Sequence, residues 1–353
     1  MTQELTTHTQ QHLATADLRA DIRESLESAK SANTTRMYSS AWRAFAAFCE
    51  GRGLCALPAS RETVAAYLEW LANYGRPDIR KGRSGQTMKP AKVSTLELHR
   101  AAISYNHKAA QLSDPTQDEW MKIQLKGIRR KLADRGTKQT GRTPKAAAAL
   151  AEVTQLVSAY STDPTHPKAL EATRNRALLL VGFAGAFRRS ELVSVALDDV
   201  TFTAEGMTIL LSKSKTDQEG AGMVKHFALM TDPALCPVRA LRAWINAAGI
   251  RSGYVFRKID RWGNIGKDAP ITPGMVARII KDACTLVGLD SHQFSGHSLR
   301  RGFITTAARA GMMKHQIAAQ TGHKPTSTTI DTYIQTSGAD ALKAVRAVFG
   351  EGK

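Results

Sequence analysis

The sequence predicts a mainly α-helical protein with a small antiparallel β-sheet, built as two domains. Three observations lead there. At 353 residues the chain exceeds one ordinary domain and suits two. Apolar residues recur at helical spacing along most of it, while short β-type runs cluster between residues 200 and 229. The stretch 133–144 carries Gly136, Lys138, Gly141, Arg142 and Pro144 with almost no apolar side chains, which is the composition of a linker.

Taken in order, residues 1–18 are polar and rich in Thr and Gln, as expected of a flexible arm. A helical domain is expected over 19–132. Asn33 stands where it can cap a helix with Tyr38, Trp42, Phe45, Phe48 and Cys49 on one face, stopped by Gly51 and Gly53. Arg36 and Arg43, seven apart, share another face. Val64, Tyr67, Leu68 and Leu71 mark a helix over 62–74 that Gly75 ends. A basic loop from Arg76 to Lys92 leads to a helix over about 94–110. The next helix, about 116–131, sets Lys122, Lys126, Arg129 and Arg130 at i, i+4, i+7 and i+8, opposite Trp120, Ile123 and Ile128. Such a stripe is either a solvated face or a phosphate-facing one; repulsion among four like charges favours the second.

The second domain is expected over 145–353. Its alanine-rich start, 145–160, reads as helix. Residues 170–187 are nearly apolar on all sides past Arg176, as in a buried core helix that ends near Arg188 and Arg189. Val200–Thr203, Met207–Ser212 and Met223–Leu229 read as three antiparallel strands, with Lys215 in the longer second turn. Thr231 or Asp232 with Pro237 opens a helix to Ala248. Thr272 and Pro273 open another to about Val287. Helices over 298–310 and 313–321 meet at Gly311. The tail, 338–350, is amphipathic, with Ala339, Leu342, Val345, Val348 and Phe349 on one side.

Charge narrows the class of partner. Lys and Arg number 49 against 31 Asp and Glu, a formal net charge of +18, so a polyanion such as nucleic acid is expected. No run of about eighteen apolar residues is present to span a membrane, and the polar N-terminus does not read as a signal peptide. Cytoplasmic location is the matching expectation. Cys49, Cys55, Cys236 and Cys284 lack metal-ligand spacing and are expected to be reduced packing residues. No cofactor and no metal are called for.

The residues that carry chemistry lie between 188 and 333. A phosphodiester is anionic, and its transition state spreads more charge over the equatorial oxygens. Planar guanidiniums that fork onto two oxygens suit it, and Arg188 and Arg300 are the candidates. An ordinary arginine is a surface ion pair; the apolar helix before Arg188 and the His297-Ser298-Leu299-Arg300 context argue for more. His297, three residues before Arg300, should share its helical face and could accept a proton or bond the phosphate. His323, behind Gly322, is a candidate donor to a non-bridging oxygen. His226 and His315 read as structural and surface residues. Lys215 is a candidate general acid for the departing 5′ oxygen, with Lys213 as competitor. Glu191, three residues after Arg188, either orients a catalytic side chain or forms a plain helix salt bridge. Tyr333, in a Ser/Thr-rich stretch before the last helix, has the access a nucleophile needs.

Arg188 in an Arg-x-x-Glu-Leu context, Lys215-Thr216 in a hairpin turn, His297-x-x-Arg300, Gly322-His323 and Tyr333 together resemble the tyrosine recombinase (phage integrase) family, its Cre-like members in particular. Twenty-two residues separate Arg300 from His323, as in that family; nine separate His323 from Tyr333, one more than usual. The resemblance covers roughly 145–350 through specific motifs and 15–130 through organisation only. It implies a helical core-binding domain and a catalytic domain closing as a clamp on double-stranded DNA. It selects Arg188 over Arg189, Arg300 over Arg301 and Lys215 over Lys213. It implies that Tyr333 forms a 3′-phosphotyrosine, and that four subunits on two sites exchange strands through a Holliday junction. A type IB topoisomerase-like monomer and a DNA-binding protein that does not cut are the other readings. The DNA-binding candidates are Arg36, Arg43, Lys92, Lys122, Lys126, Arg129 and Arg130.

Overall fold

The structure is a computed structural model; it describes residues 32–75, 90–134, 146–161, 163–211, 222–323, 326 and 330–331. The arm 1–18, the basic loop 76–89, most of the linker, the turn carrying Lys213 and Lys215, Tyr333 and the tail 338–350 lie outside the described residues. The chain forms two compact units, Met1–Thr143 and Pro144–Lys353.

The first unit contains α1 (Ala32–Glu50), α2 (Arg61–Tyr74), α3 (Val93–Ala109) and α4 (Glu119–Asp134). Ser60 caps α2, its Oγ accepting from the Thr63 amide at 3.1 Å, and Gly75 ends it at φ 76°. The four helices close on Phe45, Phe48, Tyr67, Leu71, Leu96, Ile103, Met121, Leu125 and Ile128. Tyr67 is fully buried, and its hydroxyl meets His99 Nδ1 at 2.7 Å, so the ring pays no unsatisfied polar cost. Two expectations are corrected here. Asn33 lies inside α1, where its Oδ1 accepts from Arg36 Nη2 at 2.9 Å instead of capping the helix. In α4 the buried stripe is Met121, Leu125, Ile128 and Leu132 at i, i+4, i+7 and i+11. Ile123 falls about 200° from Met121 on that helix and is 65% exposed; Trp120 is exposed as well, under the Arg61 guanidinium at 5.6 Å. The helix also begins three residues later than expected and runs two residues into the expected linker.

The second unit contains α5 (Leu150–Ser158), α6 (Ala169–Ala184), α7 (Arg189–Val193), β1 (Val200–Phe202), β2 (Gly206–Leu211), β3 (Met223–Ala228), α8 (Pro237–Ala247), β4 (Arg257–Ile259), β5 (Ile265–Pro270), α9 (Pro273–Leu286), α10 (Ser298–Arg309) and α11 (Lys314–Thr321). Helix α6 is the spine: Ala177 to Val181 are all buried, and α5, α8, α9 and α10 pack around it. The strands run β1-β2-β3, all antiparallel, with Met207 opposite Phe227, Ile209 opposite Lys225 and Leu211 opposite Met223.

Two features of this unit differ from expectation. Residues 146–149, for all their alanine, are not helical. Their amides serve another segment: Ala146 N donates to Gln293 O at 2.7 Å and Ala148 N to Ser298 O at 3.0 Å. Gly302 has no Cβ, which lets the Ala148 backbone lie directly on α10. Tertiary pairing thus overrides helix propensity. The β4–β5 hairpin was also not anticipated; its Arg-Lys-Ile and Ile-Gly-Lys-Asp-Ala-Pro runs lack apolar alternation. Among the cysteines, Cys49, Cys236 and Cys284 are buried and free as packing residues; Cys55 is free but exposed, because it lies in the loop after α1.

Candidate active site

The site is assembled from the ends of elements. Helix α6 stops at Gly185, and Ala186 takes the left-handed φ of 48°, a conformation that costs an alanine about 1–2 kcal/mol. That turn aims the Ala186 carbonyl at Arg300, whose Nη1 donates to it at 2.6 Å. Two residues on, Arg188 starts α7. Glu191 accepts from the Arg188 amide at 2.9 Å through Oε2 and from Arg188 Nη1 at 2.5 Å through Oε1. One carboxylate therefore caps the helix and fixes the guanidinium. The pair is enclosed, with side-chain exposures of 16% for Arg188 and 4% for Glu191. The other nitrogens of Arg188 have no protein partner among the described residues.

Arg300 lies in the first turn of α10 and is only 6% exposed. Its Nη2 meets His323 Nε2 at 3.2 Å. A guanidinium can only donate, so Nε2 is the acceptor and carries no proton. Nδ1 then holds the ring proton and donates to Thr321 Oγ1 at 2.8 Å, and the Thr321 hydroxyl in turn donates a hydrogen bond to Ile317 O at 2.7 Å. Burial first, then the charges of Arg300 and Arg188, push His323 down to about 4, so the ring is neutral at physiological pH. His323 follows Gly322, which closes α11 at φ 67°. Nε2 is engaged by Arg300, and donation from it to a phosphate oxygen requires a second ring proton or a change of tautomer.

His297 is the exposed N-cap of α10, with helical φ −92° and ψ −6°, three residues before the buried Arg300. Arg189 folds its aliphatic stem over Gly296, and Arg301 is half-buried. His315 is exposed; His226 is an outward-facing strand residue. Lys215, Lys213 and Tyr333 lie outside the described residues.

The structure adds a residue that sequence reasoning passed over. Lys225 lies on the inward face of β3, fully buried between Met223 and Phe227. Burial pushes it down to about 7; Glu191 pulls it up, and Arg300 and Arg188 press it further down. The available signal was the β-strand alternation, which puts residue 225 on the same face as Phe227. Three basic side chains, Arg188, Arg300 and Lys225, are thus set against one carboxylate among the described residues, Glu191. Their charges are felt by one another in a low-dielectric pocket, where an added monoanion is strongly favoured. Among the described residues no three His, Cys, Asp or Glu side chains come together to hold a metal ion.

In the first unit, Arg36, Arg43, Lys92, Lys122, Lys126, Arg129 and Arg130 are all exposed. Lys122 pairs with Glu119 at 2.7 Å and Arg129 with Glu97, so two of the four stripe residues have part of their charge answered. Lys126 and Arg130 have no ion pair among the described residues.

Comparison with known proteins follows the same lines. Residues 149–339 match the Phage integrase family. The chain is 37% identical over 302 residues to an integrase/recombinase xerD homolog of Selenomonas ruminantium, covering 85% of this chain and 80% of the relative. It is 24% identical over 330 residues to recombinase cre of Escherichia phage P1, covering 90% and 88%. Its fold is similar to that of the Tn1549 transposon integrase in complex with transposon right end DNA, with a TM-score of 0.56 at 14% identity over 90% of this chain and 94% of the other.

Proposed function

The chain belongs to the phage integrase family of tyrosine recombinases, and from that premise we propose which residues carry its reaction and how its subunits work together. It is a site-specific recombinase, an enzyme that cleaves and rejoins DNA. The topoisomerase-like and non-cutting readings are not favoured. The observation that carries the assignment of residues is the enclosed pair Arg188 and Arg300, converging from the end of α6 and the start of α10 with Lys225 and the Glu191 carboxylate.

Arg188 and Arg300 grip the non-bridging oxygens of the scissile phosphate. The Tyr333 phenol oxygen attacks phosphorus and the P–O5′ bond breaks. The phenol proton passes to His297, and Lys215 protonates the departing O5′. The product is a 3′-phosphotyrosine and a free 5′ hydroxyl, which on a partner strand reverses the step. Bond energy is kept in the covalent linkage, so the chain's own residues account for each proton and bond. His323 orients Arg300 through Nε2, and on phosphate arrival supplies a further donor.

The proposed layout is an arm at 1–18, a DNA-binding domain over 19–132, a linker over 133–144 and a catalytic domain over 145–353, with the two domains closing as a clamp on double-stranded DNA. The exposed basic residues of the first unit meet phosphates. Four subunits assemble on two sites, with the apolar face of 338–350 docked on a neighbour. No helix among the described residues is long and apolar enough to cross a membrane, and cytoplasmic action on DNA is the reading in keeping with that. A duplex nicked beside the target site tests the chemistry. Its short cleaved fragment diffuses away, and covalent protein–DNA complex should accumulate; absence of any such complex on the cognate site overturns the assignment.

A further inference from the structure

Lysine is almost never fully buried without a partner, yet Lys225 is completely enclosed, opposite Ile209 and in line with Met223 and Phe227. Its Nζ donates to the Gln320 carbonyl at 2.6 Å and faces the Phe187 ring at 5.1 Å. Gln320 lies in the last turn of α11, where carbonyls lack helical partners, so the ammonium closes that helix end. The Gln320 side chain completes the tie: Nε2 donates to Ala184 O at 2.9 Å and to His226 O at 3.1 Å. Ala184 leads into the turn whose Ala186 carbonyl holds Arg300, and Gln320 leads into Gly322 and His323, which hold it from the other side. A Cβ on Gly322 would come within 2.8 Å of Met223 Sδ, so β3 also packs directly on this turn. The Ala186 carbonyl and His323, the described groups that bond Arg300, are therefore two or three residues from the Lys225–Gln320 contact.

We infer that Lys225 is a positioning residue for the cleavage reaction: from the inward face of β3 it pins the Ala184–Ala186 and Gln320–His323 segments, and through them holds the Arg300 guanidinium where the scissile phosphate arrives. The inference rests on the recombinase reading. It also has an electrostatic side. Among the described residues the titratable groups felt by Lys225 are Glu191 of α7, Arg188 at its N-cap, Arg300 of α10 and His323 beyond α11, and its charge is one of those that keep His323 neutral. At the acid pH where His323 titrates, Lys225 is fully charged.

The test uses the full chain with Lys225→Met, which keeps length and loses the donor and the charge, and Lys225→Gln, which loses the charge but keeps an N–H donor. Two measurements are made: single-turnover formation of covalent complex on the nicked duplex, and the titration of His323 by nitrogen NMR. Site binding should persist in Lys225→Met, with cleavage slowed by about tenfold or more, as expected when a catalytic group is displaced. A 5′-phosphorothiolate leaving group should not restore it. His323 should titrate above its value of about 4 in both variants, because a positive charge is gone; should Lys225→Met fail to fold, the shift is read in Lys225→Gln. Unchanged cleavage overturns the proposal. So does phosphorothiolate rescue, which would make Lys225 a proton donor, and so does slowed cleavage with the His323 titration unmoved, which would make the lysine only a packing residue. If the wild-type protein forms no adduct, the recombinase reading fails instead, and the His323 titration still reports on the placement of Lys225.

Discussion

Burying a lysine should leave a pH signature in stability. Lys225 falls from 10.5 to about 7, chiefly by desolvation. Between those two values the unfolded chain binds the proton that the folded chain has released, so stability rises with pH across that window. Each pH unit corresponds to 1.36 kcal/mol. The penalty in the folded protein is about 4 kcal/mol at pH 7 and about 1 kcal/mol at pH 9.5, so raising the pH across that range removes about 3 kcal/mol of it. In Lys225→Met this contribution is absent. The lost bond to the Gln320 carbonyl costs the variant about 1–3 kcal/mol, but at every pH, and cancels in the comparison. Urea denaturation of both proteins at pH 7 and pH 9.5, followed through the transition of the 144–353 unit, should show the wild type gaining about 3 kcal/mol relative to the variant. At pH 7 the variant should be at least about as stable as the wild type. Stability curves that stay parallel from pH 7 to pH 9.5 would refute the reasoning.

Three further expectations follow from the same account. Lys215→Ala should cleave an ordinary substrate slowly and be largely restored by a 5′-phosphorothiolate, whose sulfur leaves without a proton; restoration of Lys213→Ala instead moves the role to Lys213. Arg130→Gln should weaken binding to all DNA sequences alike and lower the slope of log K against log salt by about one, whereas an unchanged slope returns the stripe to a solvated face. Deleting residues 339–353 should leave half-site binding intact while cooperative pairing and recombination fail, and full recombination by the shortened chain would remove the tail from assembly.

Much of this molecule was legible because local signals agreed with tertiary ones. The three strands appear where alternation and turn residues coincide, and Thr272-Pro273 opens α9 with a cap bond of 3.2 Å from Met275 N to Thr272 Oγ1. What stayed hidden was decided by distant partners. Ala146 and Ala148 are not helical because their amides donate to the Gln293 and Ser298 carbonyls. Trp120 and Ile123 lie on the solvent side of α4, because Met121, Leu125, Ile128 and Leu132 form its buried stripe and a hydrophobic side chain off that stripe need not reach the core. For the site, spacing drew attention to Arg188, Glu191, Arg300 and His323, and the fold brings those four together. It could not show that His297 would be an exposed cap, nor that His323 would face Arg300 through an unprotonated nitrogen. Lys225 was hidden by its company: in a chain of 49 basic residues, one more lysine in a strand carries no mark unless its alternation partners are read with it.

The central claim is that Tyr333 attacks a phosphate held by Arg188 and Arg300. Its most direct test is to trap the covalent complex on a nicked cognate duplex, digest it with protease, and identify by mass spectrometry the peptide that carries the nucleotide. The account predicts a single modified peptide with Tyr333 linked to a 3′ phosphate, an adduct absent from Tyr333→Phe although that variant still binds DNA. A nucleotide on any other residue, or an adduct that persists at normal yield in Tyr333→Phe, would contradict it.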